Sequence, residues 1–207
     1  MKLIIQSDDL GITEAVSCGI ARAAREGAIT CTGLFSNMPA AAFSVELMKS
    51  YPQICLGEDI NLVAGRPCAD PGKLPPMAQK DGSYLTSGMH RAIDQKDGNQ
   101  DHVRLEDCLI ETEAQILKFR ELTGKLPEYL HGHSYSTPAT WKAMEEMQAK
   151  GLCRHIGVSN FSIPKLQELI AGAKIKPEMD QVEMHPYLQQ KELLQFCQSE
   201  GILMTAY

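Results

Sequence analysis

The sequence predicts an α/β protein, a parallel βα barrel of the TIM type with about seven strands, and three observations predict it. Short apolar runs alternate with amphipathic stretches along the whole chain. Glycine or proline closes most of these segments, as at Gly27, Tyr51-Pro52, Gly124 and Gly151. Polar residues that suit chemistry stand at the ends of several candidate strands, where βα folds carry their sites.

In order, Leu3–Ser7 is a short apolar run, and Thr13 to Glu26 is an amphipathic helix stopped by Gly27. Ile29–Phe35 is β-rich, residues 39–50 carry a helical pattern, and Ile54–Asn61 is a third strand. Residues 64–103 are rich in proline and glycine at first and predict no regular element. Such an excursion is often a lid or a binding loop. Leu105, Leu109, Ile116 and Phe119 have helical spacing within 104–123. Tyr129–His133 is a strand. Thr137-Pro138 opens a helix with a capping hydroxyl and a first-turn proline. Then come a strand at Arg154–Ser159, a helix at 163–171, a strand at Gln181–Met184, a helix at 190–199 and a strand at Ile202–Ala206. An eight-stranded barrel requires one strand and one helix more.

Composition narrows the function classes. The 207 residues are 43% hydrophobic and 22% charged, which suits one globular domain and excludes a disordered chain. A net charge of −6 without basic clusters argues against nucleic acid and anionic membrane as partners. No apolar run approaches the ~20 residues of a membrane span. The early acidic pair argues against a signal peptide. The seven cysteines are widely spaced and contain no CxxC, which predicts free thiols in a cytoplasmic protein.

Asp8-Asp9 follows the first predicted strand. Two adjacent carboxylates repel unless a cation neutralises them; on their own they read more often as a polar turn capping the next helix than as a metal site. The stretches Ser7-Asp8-Asp9-Leu10-Gly11-Ile12-Thr13-Glu14-Ala15-Val16, Gly33 to Ala41, Gly57 to Pro67 and Leu122 to His133 resemble the YdjC/ChbG family of carbohydrate deacetylases. The resemblance covers residues 1–136. It implies metal-dependent removal of an acetyl group from an N-acetylated sugar, with a small carbohydrate as substrate. It makes Asp8 the general base and Asp9 and His133 metal ligands. Asp59 stands where the family commonly has a histidine. An Asp/Asp/His set tilts preference towards Mg²⁺ or Mn²⁺ over Zn²⁺ as the divalent ion, with Mg²⁺ first. His131 shares a strand face with His133 and reads as a third ligand, a support behind the ligands or a core histidine.

From Pro138 the pattern changes. Thr140 to Met147, Gly151 to Phe161, Gln181 to Leu188 and Gly201 to Tyr207 resemble the aldo-keto reductase family, strands five to seven of its barrel. That resemblance covers 138–207 and implies NADPH as cofactor. It makes Ser159, Asn160 and Gln181 the hydrogen-bonding partners of the nicotinamide amide and Tyr207 its stacking platform. The catalytic Asp, Tyr, Lys and His implied for the first four strands have no counterpart in residues 1–136.

The simplest description is a chimera of two half-barrels, 1–136 and 137–207, forming one barrel-like domain. Three readings follow: a metal-dependent deacetylase, an NADPH-dependent reductase, and a non-catalytic barrel in which both sites are relics. The open first and last strands add a risk of homo-oligomer formation through sheet edges.

Overall fold

A computed structural model describes residues 4–98 and 100–207. Seven parallel strands form one sheet in the order of the chain. They are β1 (Gln6–Leu10), β2 (Cys31–Leu34), β3 (Cys55–Asn61), β4 (Tyr129–His133), β5 (His155–Ser159), β6 (Met179–Val182) and β7 (Leu203–Ala206). The helices between them are α1 (Glu14–Arg25), α2 (Ala41–Met48), α3 (Ser87–Lys96), α4 (Leu105–Thr123), α5 (Pro138–Ala149), α6 (Ile163–Gly172) and α7 (Lys191–Glu200). The architecture is an incomplete α/β barrel, with β1 and β7 as the outer strands of the sheet.

Local signals explain where the helices begin. Thr13 caps α1, its Oγ1 accepting from the Val16 N–H at 3.2 Å. Thr137 and Thr140 cap α5 reciprocally, each hydroxyl accepting from the other's backbone N–H at 3.3 Å, with Pro138 in the first turn. Gly124 ends α4 at φ 75°, a conformation glycine adopts without steric cost.

Two strands sit elsewhere than the apolar runs suggest. β1 is Gln6–Leu10 rather than Leu3–Ser7, so Asp8 and Asp9 lie inside the strand; Leu3 is outside the described residues. Leu10 sets this register: it is fully buried beside Leu34 and Phe119, whereas Ile4 and Ile5 stay exposed. β6 is Met179–Val182 rather than Gln181–Met184, because Met179 to Val182 pair in step with Leu203 to Ala206. The 64–103 excursion also holds order that the sequence did not predict. It contains a single 3-10 turn at Pro71–Lys73, a bridge between Ala78 and Tyr84, and α3. Of the residues in α3 only His90 is buried, so the helix has no apolar stripe to reveal it.

The larger apolar cluster joins β3–β7 and helices α4 to α7 with Leu74, Met77 and Tyr84 of the excursion, and it includes Met144, Met147, Ile156 and Leu166. The smaller one lies under α1 and α2 around Leu10, Leu34 and Val45. β4 and β5 pair directly, Tyr129 to His155 and His131 to Gly157, so the ladder runs unbroken past the change of family resemblance.

Candidate active site at the barrel mouth

Strand alternation sends one set of side chains outward to the helices and the other into the barrel. On β3, Leu56, Glu58 and Ile60 face outward while Asp59 and Asn61 face inward. On β4, His131 and His133 face inward with Tyr129. Space for them comes from glycine. A Cβ on Gly33 of β2 would collide with the Asp59 carboxylate, and one on Gly57 would collide with the Tyr129 ring.

Asp8 on β1 projects into this interior. One of its oxygens accepts from Gln6 Nε2 at 2.9 Å, and the other accepts from Gln181 Nε2 on β6 at 2.6 Å. Asp59 is buried with Oδ1 at 3.6 Å from His131 Nδ1. Asp59 Oδ1 and His131 Nε2 have no hydrogen-bond partner, nor does the Tyr129 hydroxyl. Burial pushes the Asp59 carboxyl up, with His131 pulling the other way. Burial opposes a charge on His131, but adjacent Asp59 and, further off, Asp8 outweigh it and hold the imidazole above its ordinary range. Burial also raises the Tyr129 phenol well above its ordinary value.

The implied metal ligands are not brought together. Asp9 takes φ 69° at an irregularity in the β1–β2 register between Ser7 and Leu10. Asp59 pairs with His131, and His133 lies edge-on to Phe35 at 4.7 Å with its Nε2 3.0 Å from Ser134 Oγ. Among the described residues no group of three or more His, Cys, Asp or Glu side chains is arranged to hold a metal ion. Asp9, Asp59 and His133 as placed therefore do not fit a divalent ion. Asp8 instead accepts one amide on each oxygen, from Gln6 and from Gln181.

The four residues implied for nicotinamide are brought together. The Tyr207 hydroxyl donates to Asn160 Oδ1 at 2.9 Å, Asn160 Nδ2 donates to Ser159 Oγ at 3.3 Å, and Ser159 Oγ donates to the Gln181 carbonyl at 3.0 Å. The Gln181 side-chain amide, however, is committed to Asp8, and its Oε1 is buried without a partner. Sequence reasoning missed Gln6, Tyr129 and the Asp8–Gln181 contact. Period-two alternation within Tyr129-Leu130-His131-Gly132-His133 carried the signal for Tyr129. Nothing local carries the Asp8–Gln181 contact, since 173 positions separate its partners. All seven cysteines are free, as the spacing predicts. No helix among the described residues is long and apolar enough to cross a membrane.

Comparison with known proteins returns both signals. An aldo/keto reductase of Synechocystis is 54% identical over 35% of this chain and 22% of its own length. A codeinone reductase of Papaver somniferum is 57% identical over 44% of this chain and 28% of its own. The chain thus spans only 22% and 28% of the length of these two curated relatives. Among solved structures, a protein of Enterococcus faecalis V583 assigned by inference to cellobiose-phosphate cleavage superposes with a TM-score of 0.66 at 18% identity, over 99% of this chain and 96% of that one. An aldo-keto reductase from a deep-sea metagenome superposes with 0.64 at 19% identity, over 100% of this chain and 64% of that one. Both show the fold. The model of the family described as YdjC-like protein matches residues 2–201, well past the 136 boundary of the first resemblance, and the chain belongs to that family.

Proposed function

We propose that this chain is a carbohydrate deacetylase-like hydrolase that removes the acetyl group of an N-acetylated sugar. The observation that carries the reading is the convergence of Asp8 with the buried Asp59–His131 pair at the barrel mouth. Hydrolysis of an amide needs a base for water and an acid for the departing amine. Asp8 is the carboxylate that takes the proton from water, oriented by the Gln6 and Gln181 amides. His131, whose imidazole Asp59 biases towards the charged form, is the group that returns a proton to the amine as the C–N bond breaks. Water is consumed, and acetate and the free amino sugar leave. Family membership and the carbohydrate assignment of the Enterococcus faecalis protein support the substrate class.

The test is acetate release from an N-acetylated disaccharide, with chelator and with Mg²⁺, Mn²⁺ or Zn²⁺ added in turn. Release that falls about 10²-fold or more in Asp8→Asn supports the assignment. No release under any of these conditions overturns it. A second reading rests on the Ser159–Asn160–Tyr207 cluster, which would hold the nicotinamide of NADPH. Quenching or enhancement of NADPH fluorescence that Asn160→Ala abolishes favours it; an unchanged signal at saturating protein removes it.

A further inference from the structure

Away from Asp8 and the Asp59–His131 pair, α5 and α6 flank a cavity of about 430 Å³ in the helical layer. Pro138 and Trp141 of α5, Leu169 of α6, Phe161 after β5 and Ala173 after α6 give it apolar walls. Its volume lies within the roughly 300–1,000 Å³ of sites that take small molecules. It shares Lys142 and Gly172 with a second cavity of about 300 Å³ that reaches Leu105, Leu109 and Ile175. The hollow is therefore long as well as apolar. At its other end, Phe161 and Lys165 also border the cleft of about 270 Å³ that Ser159 and Asn160 line, so the Lys165 end is the one next to the barrel mouth.

Four polar side chains decide what the hollow can hold. Trp141 is buried, and its Nε1 has no hydrogen-bond partner. An indole N–H can only donate, and a buried donor left unmade is costly, so a ligand that brings an acceptor is favoured. Lys142 and Lys165 are exposed on the rim, and Lys165 Nζ lies 5.9 Å from the centroid of the Phe161 ring. Glu168 lines the same cavity, three positions beyond Lys165 on α6. Among the described residues none of these three charges takes part in an ion pair. Two lysines and one glutamate leave one net positive charge, which suits a monoanion better than a dianion and opposes a cation. The Phe161 face that an ammonium ligand would seek is already taken by Lys165. A carbohydrate is a poor occupant, because the apolar walls would leave its hydroxyls unpaired.

We propose that the hollow between α5 and α6 is a binding site for a small monocarboxylate with an elongated apolar body, such as a medium-chain acyl carboxylate. The carboxylate pairs with Lys165 and Lys142 at the mouth end, and the chain runs over Trp141 and Leu169 towards Ile175. None of these residues belongs to the Asp8 and His131 chemistry, so the site stands independently of the deacetylase reading.

Trp141 is the single tryptophan of the chain, so tryptophan emission reports on this site. Decanoate titrated into the whole chain should shift that emission saturably, and calorimetry should give one site per chain with a Kd of about 100 μM or lower. Decan-1-ol, which keeps the chain and loses the charge, should bind about tenfold more weakly. Lys165→Glu should weaken decanoate about fivefold or more while leaving the emission of the free protein unchanged. Absence of saturable emission change and of binding heat up to about 1 mM decanoate overturns the proposal. Equal affinity for decan-1-ol, tighter binding of decyltrimethylammonium, or an emission shift that follows protein concentration and not decanoate also overturns it, the last by placing a second copy on the hollow. Both lysines are exposed, so Lys142→Glu repeats the charge reversal if the first variant fails to fold, and the ligand series on the wild type decides without either.

Discussion

The two parts of the barrel are held by different means. β1 to β4 and α1 to α4 bury charged and amide side chains, and those around Glu111 and Gln115 satisfy one another. Glu111 of α4 accepts from the Cys68 and Ala69 N–H groups at 2.9 Å, from Gln115 Nε2 at 2.8 Å and from the Tyr84 hydroxyl. Gln115 in turn donates to the Asn61 carbonyl at 2.7 Å and accepts its N–H at 3.0 Å, pairing with β3 as a neighbouring strand would. Glu58 accepts from Ser36 on the same face. β5 to β7 carry a smaller polar set, Asp180 with the Phe161 N–H and the Tyr207–Asn160–Ser159 chain to the Gln181 carbonyl. α6 buries Leu166 alone, and α7 buries only Leu193 and Cys197. Buried polar networks are unforgiving, because each orphaned member costs its full desolvation, whereas a thin apolar layer loses only the contacts removed. The first region is therefore specified in detail and the second more loosely.

Substitutions test that contrast, beginning with the largest effect. Glu111→Leu strands three donors, the Cys68 and Ala69 N–H groups and the Tyr84 hydroxyl, and should cost about 3–5 kcal/mol in urea unfolding; a loss under about 1 kcal/mol would mean that the network is not what holds the excursion. Leu166→Ala should cost about 2–3 kcal/mol, since a half-exposed helix collapses readily around the void. If the two regions form one cooperative unit, both substitutions shift a single transition; two separate transitions would break the comparison into two folding units.

Asp180 sharpens it through pH. Burial raises its carboxyl to about 7, with the Phe161 N–H and His131 pulling it down, and Oδ2 has no partner. The folded state thus keeps a proton that the unfolded chain releases near its ordinary value. Stability from this group is present at low pH and is lost as pH rises towards about 7. Asp180→Asn should gain on the wild type by on the order of 2 kcal/mol between about pH 5 and pH 8. Parallel stability curves would show that this carboxylate is solvated. The Asp8–Gln181 contact stitches the regions across the interior, and a double cycle with Asp8→Ala and Gln181→Ala should give a coupling of about 1 kcal/mol. Additive losses would mean that each residue acts within its own region. Thr13→Ala, at a cap remote from the junction, should cost about 0.5–1 kcal/mol by thermal melting without altering cooperativity.

Much of the fold was legible in the sequence because its signals are local. Alternating patterns, Thr13, Thr137-Pro138 and Gly124 placed most helices within a residue or two. β1 was misplaced because Leu3-Ile4-Ile5 is the stronger apolar run, while the core is built on Leu10. α3 was missed because it is held by side-chain hydrogen bonds, which leave no periodicity. Of the site, Asp8, Asp59 and His131 were visible as residues. Their partnership was not, because pairings between strands depend on register.

The sequence by itself determined the seven strands, the helix caps and which residues each strand could offer to the interior, since these follow from periods of two and 3.6 residues and from single-residue backbone preferences. Only the tertiary structure decided that Gln181 would hold Asp8, that Asp59 would take His131, and that Asp9 and His133 would stand apart. Those outcomes depend on how the strands tilt and stagger around the interior, and on which buried lone pairs find donors there.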